Sequence, residues 1–469
     1  MNNKLFTLFA LTAIVTLSLV GCDSDLTSLN NSPNAVSDLN VNTIIGQQSV
    51  LVGMQAIAGD WYSGDRSRLL SIWTRQMCAP TGLGRPQPAA WNTYTIDRSK
   101  NSPDDYTWFN GFHVVKLADD IIYNAASAGM SGNALNLYLG VAKFYKALAL
   151  GETAALYGSI PVDIRSAPKP AFVSQSAAYA VVQSLLSDAI TNFQAISGTS
   201  TEVRELNFQG NAAKWIAAAN SLRARYYLHQ LDYANAANAA TSGITAAANT
   251  VNGIWTLTAG EYAPWGHWTL TETGEPLRAN KYYVDFLRGK GSTDSTSTDT
   301  RIAAYLSVRS GAVKVVGNDI YGDLGGTGDE VTPTKTAGLV KYAQYNSSFP
   351  LISYQENILV RAEAAQRVAG SAVSAAALAD LNTIRTGAGL PAKLITDFAN
   401  GAALITEVLK QKYIQLFLEG QAYHDMRRVN QTDGTPLYRT GIPLRFLYPE
   451  SETSTNPNVP ADPARNELW

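Results

Sequence analysis

The stretch Ile358-Leu359-Val360-Arg361-Ala362-Glu363-Ala364 decides how the chain is interpreted. It lies in a segment of helical character over residues 352–368, and a second such segment follows over 375–386. In these segments apolar residues recur every three or four positions, as on one face of an amphipathic helix. The same pattern predicts helices over residues 114–125, 133–156, 176–193, 212–231, 233–247 and 402–419, with Asn133 as a helix cap and Gly158 and Pro161 as a stop.

The predicted helices come mostly in adjacent pairs that are rich in alanine, as in residues 234–240. Small side chains let neighbouring helices approach closely. Such pairs are typical of helical-repeat solenoids of the tetratricopeptide kind, although no clean period of about 34 residues is present. We therefore expect a mainly α fold: a tetratricopeptide-like helical repeat scaffold with long inserted loops.

The N-terminus has the three-part build of a signal peptide. Lys4 precedes an apolar run over residues 5–20, which is shorter than the about 20 residues that span a bilayer. Leu19-Val20-Gly21-Cys22 resembles a bacterial lipobox, in which the cysteine is lipidated; an ordinary secretory signal is the alternative. We expect a signal peptide over 1–21, a lipid anchor and polar tether over 22–42, and one domain over 43–469. Loop-rich insertions are expected near 60–106 and 253–350.

Composition excludes several classes of protein. The 469 residues contain 36 Lys and Arg against 38 Asp and Glu, so no basic surplus indicates a nucleic-acid partner. Cys22 and Cys78 are the two cysteines. With Cys22 lipidated, a disulfide framework and a thiolate metal site are both excluded, and Cys78 is predicted to be a small buried side chain.

The sequence contains no motif of an established catalytic type. None of the four histidines stands four residues from another, and neither a Gly-x-Ser-x-Gly elbow nor a P-loop is present. Carboxylate pairs such as Asp119-Asp120 leave glycoside hydrolysis open, although these two are predicted to lie on a solvated edge. Acidic loops over 294–299 and 323–330 offer oxygens to Ca²⁺ but match no EF-hand spacing, so we expect no cofactor and no metal.

Aromatic residues in the two insertions are the candidate ligand contacts. Sugar rings stack their C–H faces on aromatic planes, and their hydroxyls bond to polar side chains. We expect the binding residues to be drawn from Trp91, Tyr94, Arg85 and Asn92 in the first insertion, and Trp265, Trp268 and Tyr321 in the second. Packing in the core is the alternative for each tryptophan, and it is the one we expect for Trp108 and Trp215.

An ordered series of short motifs runs through most of the chain. Leu156-Tyr157-Gly158 leads to Ile160-Pro161, and Ala224-Arg225 to Tyr227-Leu228. The later motifs are Asp299-x-Arg301, Leu381-Asn382-x-Ile384-Arg385, Ala388-Gly389-Leu390-Pro391, Phe417-x-Glu419-Gly420, Asp425-x-Arg427-Arg428, Ile442-Pro443, Tyr448-Pro449-x-x-Glu452 and Asn456-Pro457-Asn458. With residues 358–364, this series resembles the SusD/RagB family of outer-membrane nutrient-binding lipoproteins. The chain differs from the family pattern at Gly387 and His424, and we interpret the motifs as architectural.

The resemblance implies a function without catalysis. Members capture oligosaccharides, or in some cases peptides, at the cell surface and sit over a SusC-like TonB-dependent transporter in the outer membrane. Asp23-Ser24-Asp25 resembles a surface-export signal of such lipoproteins. A peptide or glycopeptide binder, a surface glycoside hydrolase and a purely structural part of the transporter complex remain as alternatives.

Overall fold

The computed structural model describes residues 41–78, 90–91, 94, 98, 102–198, 204–271, 277–287, 299–309, 336–432 and 442–462. Signal peptide, Cys22 and most of the tether lie outside these residues. The helices are α1 Ile44–Ser63, α2 Asp65–Trp73, α3 Pro103–Asn124, α4 Gly132–Tyr157, α5 Gln175–Gln194, α6 Ala212–His229, α7 Tyr233–Thr241, α8 Pro264–Thr271, α9 Lys281–Leu287, α10 Arg301–Tyr305, α11 Tyr354–Ala369, α12 Ala375–Gly387, α13 Gly401–Gln415, α14 Gln421–Thr432 and α15 Glu450–Thr453.

Polar side chains begin many of these helices. Ser102, Ser174 and Ser353 each accept a hydrogen bond from the backbone N–H three residues ahead, and Asn211 and Asn400 do the same. Each satisfies one of the N–H groups that the first helical turn leaves unpaired.

The prediction that Asn133 is the cap of α4 is wrong. Ser131 is the N-cap residue, while the Asn133 amide bonds to the backbone of Ser197 beyond α5. Gly158 ends α4 as predicted, with a positive φ of 86° that favours glycine.

Successive helices pack side by side into a solenoid-like array. α4 packs between α3 and α5, α6 packs against α5 and α7, and α11 packs against α7, α12 and α13. Glycines allow the closest approaches, because a Cβ at Gly140 would lie 2.4 Å from the Phe193 ring and one at Gly151 would lie 2.3 Å from the Tyr226 ring. The expected mainly α, tetratricopeptide-like scaffold is thereby confirmed.

Three small antiparallel pairings hold the inserted segments. β1 (Met77–Cys78) pairs with β3 (Arg278–Ala279), and β2 (Val251–Gly253) pairs with β6 (Phe349–Ile352) through a register shift. β4 and β5 pair Leu306–Arg309 with Thr336–Leu339. The pairs tie the second insertion to the helices at both of its ends. Cys78 is buried, as predicted.

Part of the first insertion is helical rather than loop. α2 occupies residues that we predicted to be loop-rich, and it buries Trp73 together with Arg66. Asp119 also differs from its prediction, because its side chain is buried and pairs with Lys146 Nζ at 2.6 Å instead of lying on a solvated edge. No helix in the described ranges is both long and apolar enough to cross a bilayer.

Buried ion pairs join helices that are far apart in sequence. Arg225 contacts Glu356 through two bonds of 2.6 Å, and Glu363 of α11 accepts from Arg428 of α14. Glu152 of α4 pairs with Arg66 of α2. These contacts fit the architectural interpretation of the Ala-Arg and Asp-x-Arg-Arg motifs, since Arg225 and Arg428 are both directed into the scaffold.

Candidate functional site

A cleft of about 350 Å³ lies where the first helices meet the second insertion. The end of α1, the start of α2, the first turns of α3 and the start of α8 contribute its walls. We call it the aromatic cleft, and its lining residues are Asp60, Trp61, Gly64, Asp65, Arg66, Tyr106, Thr107, Asn110, Tyr262, Pro264, His267 and Trp268.

Accessible rings form much of the cleft wall. Tyr262 stacks on Tyr345 with ring centroids 4.1 Å apart, and its other neighbour is His267, at 6.3 Å with near-parallel planes. Tyr106 on α3 is 43% exposed, and Trp268 is half-buried. The stacked neighbours of Tyr262 fix the orientation of its ring before any ligand arrives, which lowers the entropic cost of binding.

Two carboxyl groups, those of Asp60 and Asp65, line one edge of the cleft. Crowding by protein atoms raises the pKa of Asp60, and the nearby charge of Asp65 raises it further. Asp65 forms an ion pair with Arg68 one turn along α2. Arg66 contributes to the floor, but its guanidinium is directed into the core, where Nε donates to Glu152 at 2.8 Å.

Trp268 alone among the predicted tryptophans lines this cleft. Its ring lies under the Arg68 guanidinium at 3.9 Å, and the same guanidinium lies 4.9 Å from the Trp91 ring. Trp268 also meets Trp265 edge to face at 5.3 Å. Three predicted residues are therefore clustered around Arg68, although they do not share one exposed surface.

Trp91 and Trp265 require a correction. Trp91 is 1% exposed and Trp265 2% exposed, so neither presents a ring face to a ligand. Trp265 Nε1 donates to Ser67 Oγ at 3.1 Å, which holds α8 against α2. Tyr94 is partly buried and packs edge to face on Trp73. The core role predicted for Trp108 and Trp215 is confirmed.

Arg85, Asn92 and Tyr321 lie outside the described residues. So do most of the acidic stretches considered for Ca²⁺, except that Asp299 is buried and bound by Arg301. No cluster of three or more potential metal ligands occurs in the part of the chain that the structure describes.

Sequence reasoning missed Tyr106, Tyr262 and Asp60. Tyr106 and Asp60 stand at the two bounds of the first predicted insertion, and neither was named as a contact. Tyr262 carried a weak signal, since it stands three residues before Trp265 in an insertion already expected to bind. The tertiary fold brings these residues together, because it places the end of α1 and the start of α3 beside the second insertion.

The fold and the cleft define a class: mainly helical, repeat-based scaffolds with an aromatic cleft built partly from insertions. Residues 89–449 match a family, SusD-like, described as starch-binding and associating with the outer membrane. Because this match covers most of the chain, the protein belongs to the SusD-like family. A search among curated proteins found no match.

Solved structures share the fold at low sequence identity. A SusD/RagB family protein from Bacteroides thetaiotaomicron is 19% identical, with 88% of this chain and 94% of that chain covered and a TM-score of 0.68. A SusD homolog from Bacteroides fragilis is 17% identical over 90% and 99% of the two chains, with a TM-score of 0.66. A chitin-binding SusD homolog from Flavobacterium johnsoniae is 16% identical over 89% and 94%, with a TM-score of 0.63.

Proposed function

We propose that the protein is a cell-surface lipoprotein that captures oligosaccharides in the aromatic cleft and delivers them to a SusC-like TonB-dependent transporter. The observation that carries the proposal is the set of accessible rings, Tyr106, Tyr262 and Trp268, beside the polar groups of Asp60 and Asn110. Rings bind the C–H faces of sugars, and carboxylates and amides bond to hydroxyls. The family description and the chitin-binding relative support the same ligand class.

Calorimetry with starch- and chitin-derived oligosaccharides tests the ligand class. For any glycan that binds, Tyr262→Ala should weaken affinity about tenfold, which corresponds to about 1.4 kcal/mol and is the scale of one lost stacking contact. Tyr123→Ala is the matched control, because Tyr123 is a 59% exposed tyrosine outside the cleft. Equal affinities for Tyr262→Ala, Trp268→Ala and the native protein would remove the cleft from consideration.

Delivery requires attachment to the membrane. Lipid on Cys22 and a tether to about residue 42 would hold the helical body at the outer leaflet beside the transporter. Cys22→Ala should leave glycan affinity unchanged in the purified protein and abolish glycan uptake by cells. Uptake that persists in cells carrying this variant would contradict the anchoring role. We propose no cofactor for either step.

Glycoside hydrolysis is the second candidate, and one observation favours it. Glycosidases use two carboxyl groups in one site, one of them with a raised pKa; Asp60, whose pKa is raised by burial, and Asp65, which pairs with Arg68, line the same cleft. An assay for reducing-sugar release separates the two functions. We expect no release by native protein, and release that Asp60→Asn abolishes would establish the enzyme instead.

A further inference from the structure

A separate cavity of about 260 Å³ lies where the second insertion returns to the helices. Its lining is drawn from β2, β6, the start of α11 and the end of α13, together with Tyr305, Lys341, Tyr342 and Glu419. We call it the Glu419 pocket. It shares no lining residue with the aromatic cleft. Pockets for drug-sized ligands measure about 300–1,000 Å³, so an occupant of this pocket must be smaller.

One wall of the pocket holds a charge pair that the protein itself neutralises. Lys341 Nζ donates to Glu419 Oε1 at 3.1 Å and to the carbonyls of Gln415 and Phe417 at 3.1 and 3.3 Å. These acceptors use all three N–H groups of the ammonium. The other described residues that line the pocket are neutral. The lining therefore carries no net charge, and it selects neither an anion nor a cation.

The charge pair leaves one carboxylate oxygen available. Glu419 is 5% exposed, and its Oε1 accepts from Lys341 Nζ and from the Tyr342 hydroxyl, at 3.1 and 2.9 Å. Glu419 Oε2 has no hydrogen bond within the described part of the chain, although this side chain lines the pocket. Burial raises the pKa of Glu419 despite the nearby Lys341, so its ionised form is stabilised by each additional donor. A hydroxyl group in the pocket would be such a donor.

Three amide side chains complete the polar lining. Gln355 of α11 is half-buried, and its side chain has no hydrogen bond to any residue that the structure describes. Gln415 Oε1 accepts from Arg301 Nη1 at 3.3 Å, which leaves Gln415 Nε2 without a partner among the same residues. Asn252 Nδ2 donates to the Thr250 carbonyl at 3.1 Å, so Asn252 Oδ1 stays available. The pocket thus offers amide donors and acceptors in one small cavity with a carboxylate oxygen.

The tyrosine rings of the pocket are already in contact with other side chains. Lys341 Nζ lies 4.5 Å from the centroid of the Tyr305 ring and 4.8 Å from that of Tyr342. Tyr305 also stacks on Phe417 at 5.8 Å, and Tyr342 packs on Phe349 at 4.6 Å. These contacts hold the wall in place and leave less aromatic face for a ligand. Recognition in this pocket therefore depends on hydrogen bonds, unlike the stacking expected in the aromatic cleft.

We propose that the Glu419 pocket is a second carbohydrate site, which takes a neutral monosaccharide. Each sugar hydroxyl both donates and accepts, so neighbouring hydroxyls can donate to Glu419 Oε2 and accept from the amides of Gln355 and Gln415. The ligand needs no charge, because Lys341 already neutralises the carboxylate. An apolar molecule of the same size would leave these polar groups unpaired, which is costly. The site does not depend on glycan capture in the aromatic cleft.

Ligand-observed NMR titration of the mature protein with D-glucose, D-galactose and D-mannose tests the proposal. We expect at least one sugar to occupy a saturable site with a dissociation constant of about 1–10 mM, as a few hydrogen bonds to a small neutral ligand give. Gln355→Ala should weaken this binding about fivefold, because one hydrogen bond to the ligand is lost. Its thermal midpoint should match that of the native protein, since no described residue bonds to the Gln355 side chain.

A charged version of the ligand tests the argument from charge. The uronate of the sugar that binds should bind at least about tenfold more weakly, because its carboxylate meets Glu419 and the Lys341 ammonium has no free N–H group. A uronate that binds more tightly than the neutral sugar would overturn the proposal.

Two control variants separate this site from the rest of the protein. Gln194→Ala removes an exposed glutamine at the end of α5, outside the pocket, and should leave the dissociation constant unchanged. Tyr262→Ala alters the aromatic cleft and should also leave it unchanged. The proposal fails if none of the three sugars saturates, if Gln355→Ala binds as tightly as Gln194→Ala, or if Tyr262→Ala abolishes binding. Gln355→Ala should not change oligosaccharide affinity in the cleft, so failure of one site is distinguishable from failure of the other.

Discussion

Glu363 offers a sharp test of how buried charge holds the scaffold together. Its side chain is fully buried in α11 and accepts from Arg428 Nη1 at 2.5 Å, Arg428 Nη2 at 2.9 Å and Arg367 Nε at 2.9 Å, with Lys412 Nζ at 3.5 Å. Despite burial, these cations hold the pKa of Glu363 far below its ordinary value of 4.5. Glu363→Gln keeps the shape of the side chain and removes the charge that three cations share.

The loss of folding free energy in Glu363→Gln depends on which cations lose their ionic partner. Breaking a buried ion pair by removing one partner costs about 3–5 kcal/mol. Asp425 Oδ1 still accepts from Lys412 and Arg428, each at 2.8 Å, so we expect the lower end, about 3 kcal/mol. An unfolding entropy of about 2 cal/mol/K per residue gives about 1 kcal/mol/K for 469 residues. The thermal midpoint should therefore fall by about 3 °C.

Differential scanning calorimetry measures this shift, and Asp380→Asn is the matched control. Arg361 of α11 forms an ion pair with Asp380 of α12 at 2.6 Å, but the two side chains are 30% and 14% exposed. Such a pair contributes about 0.2–1 kcal/mol, so its midpoint should move by less than about 1 °C. Equal shifts in the two variants would refute the argument. Glu363 stabilises the fold above pH 4.5, so the native protein should lose its advantage over Glu363→Gln as pH falls below that value.

Further predictions concern packing and pH. Gly151→Val should destabilise the protein by about 1–3 kcal/mol in urea denaturation, because its side chain would overlap the buried Tyr226 ring, whereas Gly53→Ala, with no atom within 4 Å, should be neutral or stabilising. Burial lowers the pKa of both His229 and His424 below the ordinary 6.5, so the unfolded chain binds protons that the folded chain rejects. The thermal midpoint should therefore fall as pH drops below about 6.5, with a slope that His229→Gln reduces; a midpoint flat from pH 7 to about 5 would contradict this.

Much of the scaffold could be predicted, because its helices follow the apolar period. α11 and α12 lie within two residues of their predicted bounds, since one face of each packs on the core. α2 was missed for a physical reason: Arg66 and Ser67 are buried there through polar contacts with Glu152 and the Leu418 carbonyl. A nine-residue helix that buries polar residues among apolar ones on most of its circumference shows no clear apolar period.

The candidate site was harder to predict than the scaffold. Composition indicated which loops carry aromatic rings, but a ring in a Pro-rich loop faces ligand or core depending on contacts distant in sequence. Trp265 is buried because Ser67, almost two hundred residues earlier, accepts its N–H. Trp268, three residues further along α8, lies at the cleft surface. Only the tertiary fold distinguishes these two tryptophans.

Arg66 connects the scaffold to the cleft, because it both pairs with Glu152 and lines the cleft. Variants that disturb Arg66 can therefore be compared with variants that disturb the scaffold elsewhere. The Arg66 guanidinium lies 3.9 Å over the Tyr62 ring and binds Glu152, and Glu152 also bonds to His424 Nε2 at 2.8 Å. The Arg66 side chain at the same time lines the aromatic cleft. Loss of the Glu152 charge should therefore loosen both the fold and the cleft floor. In the described part of the chain the charged partners of Glu363 are Arg367, Arg428 and Lys412, and none of them lines the cleft. Loss of the Glu363 charge should therefore lower stability, while ligand affinity, measured well below the unfolding transition, stays unchanged.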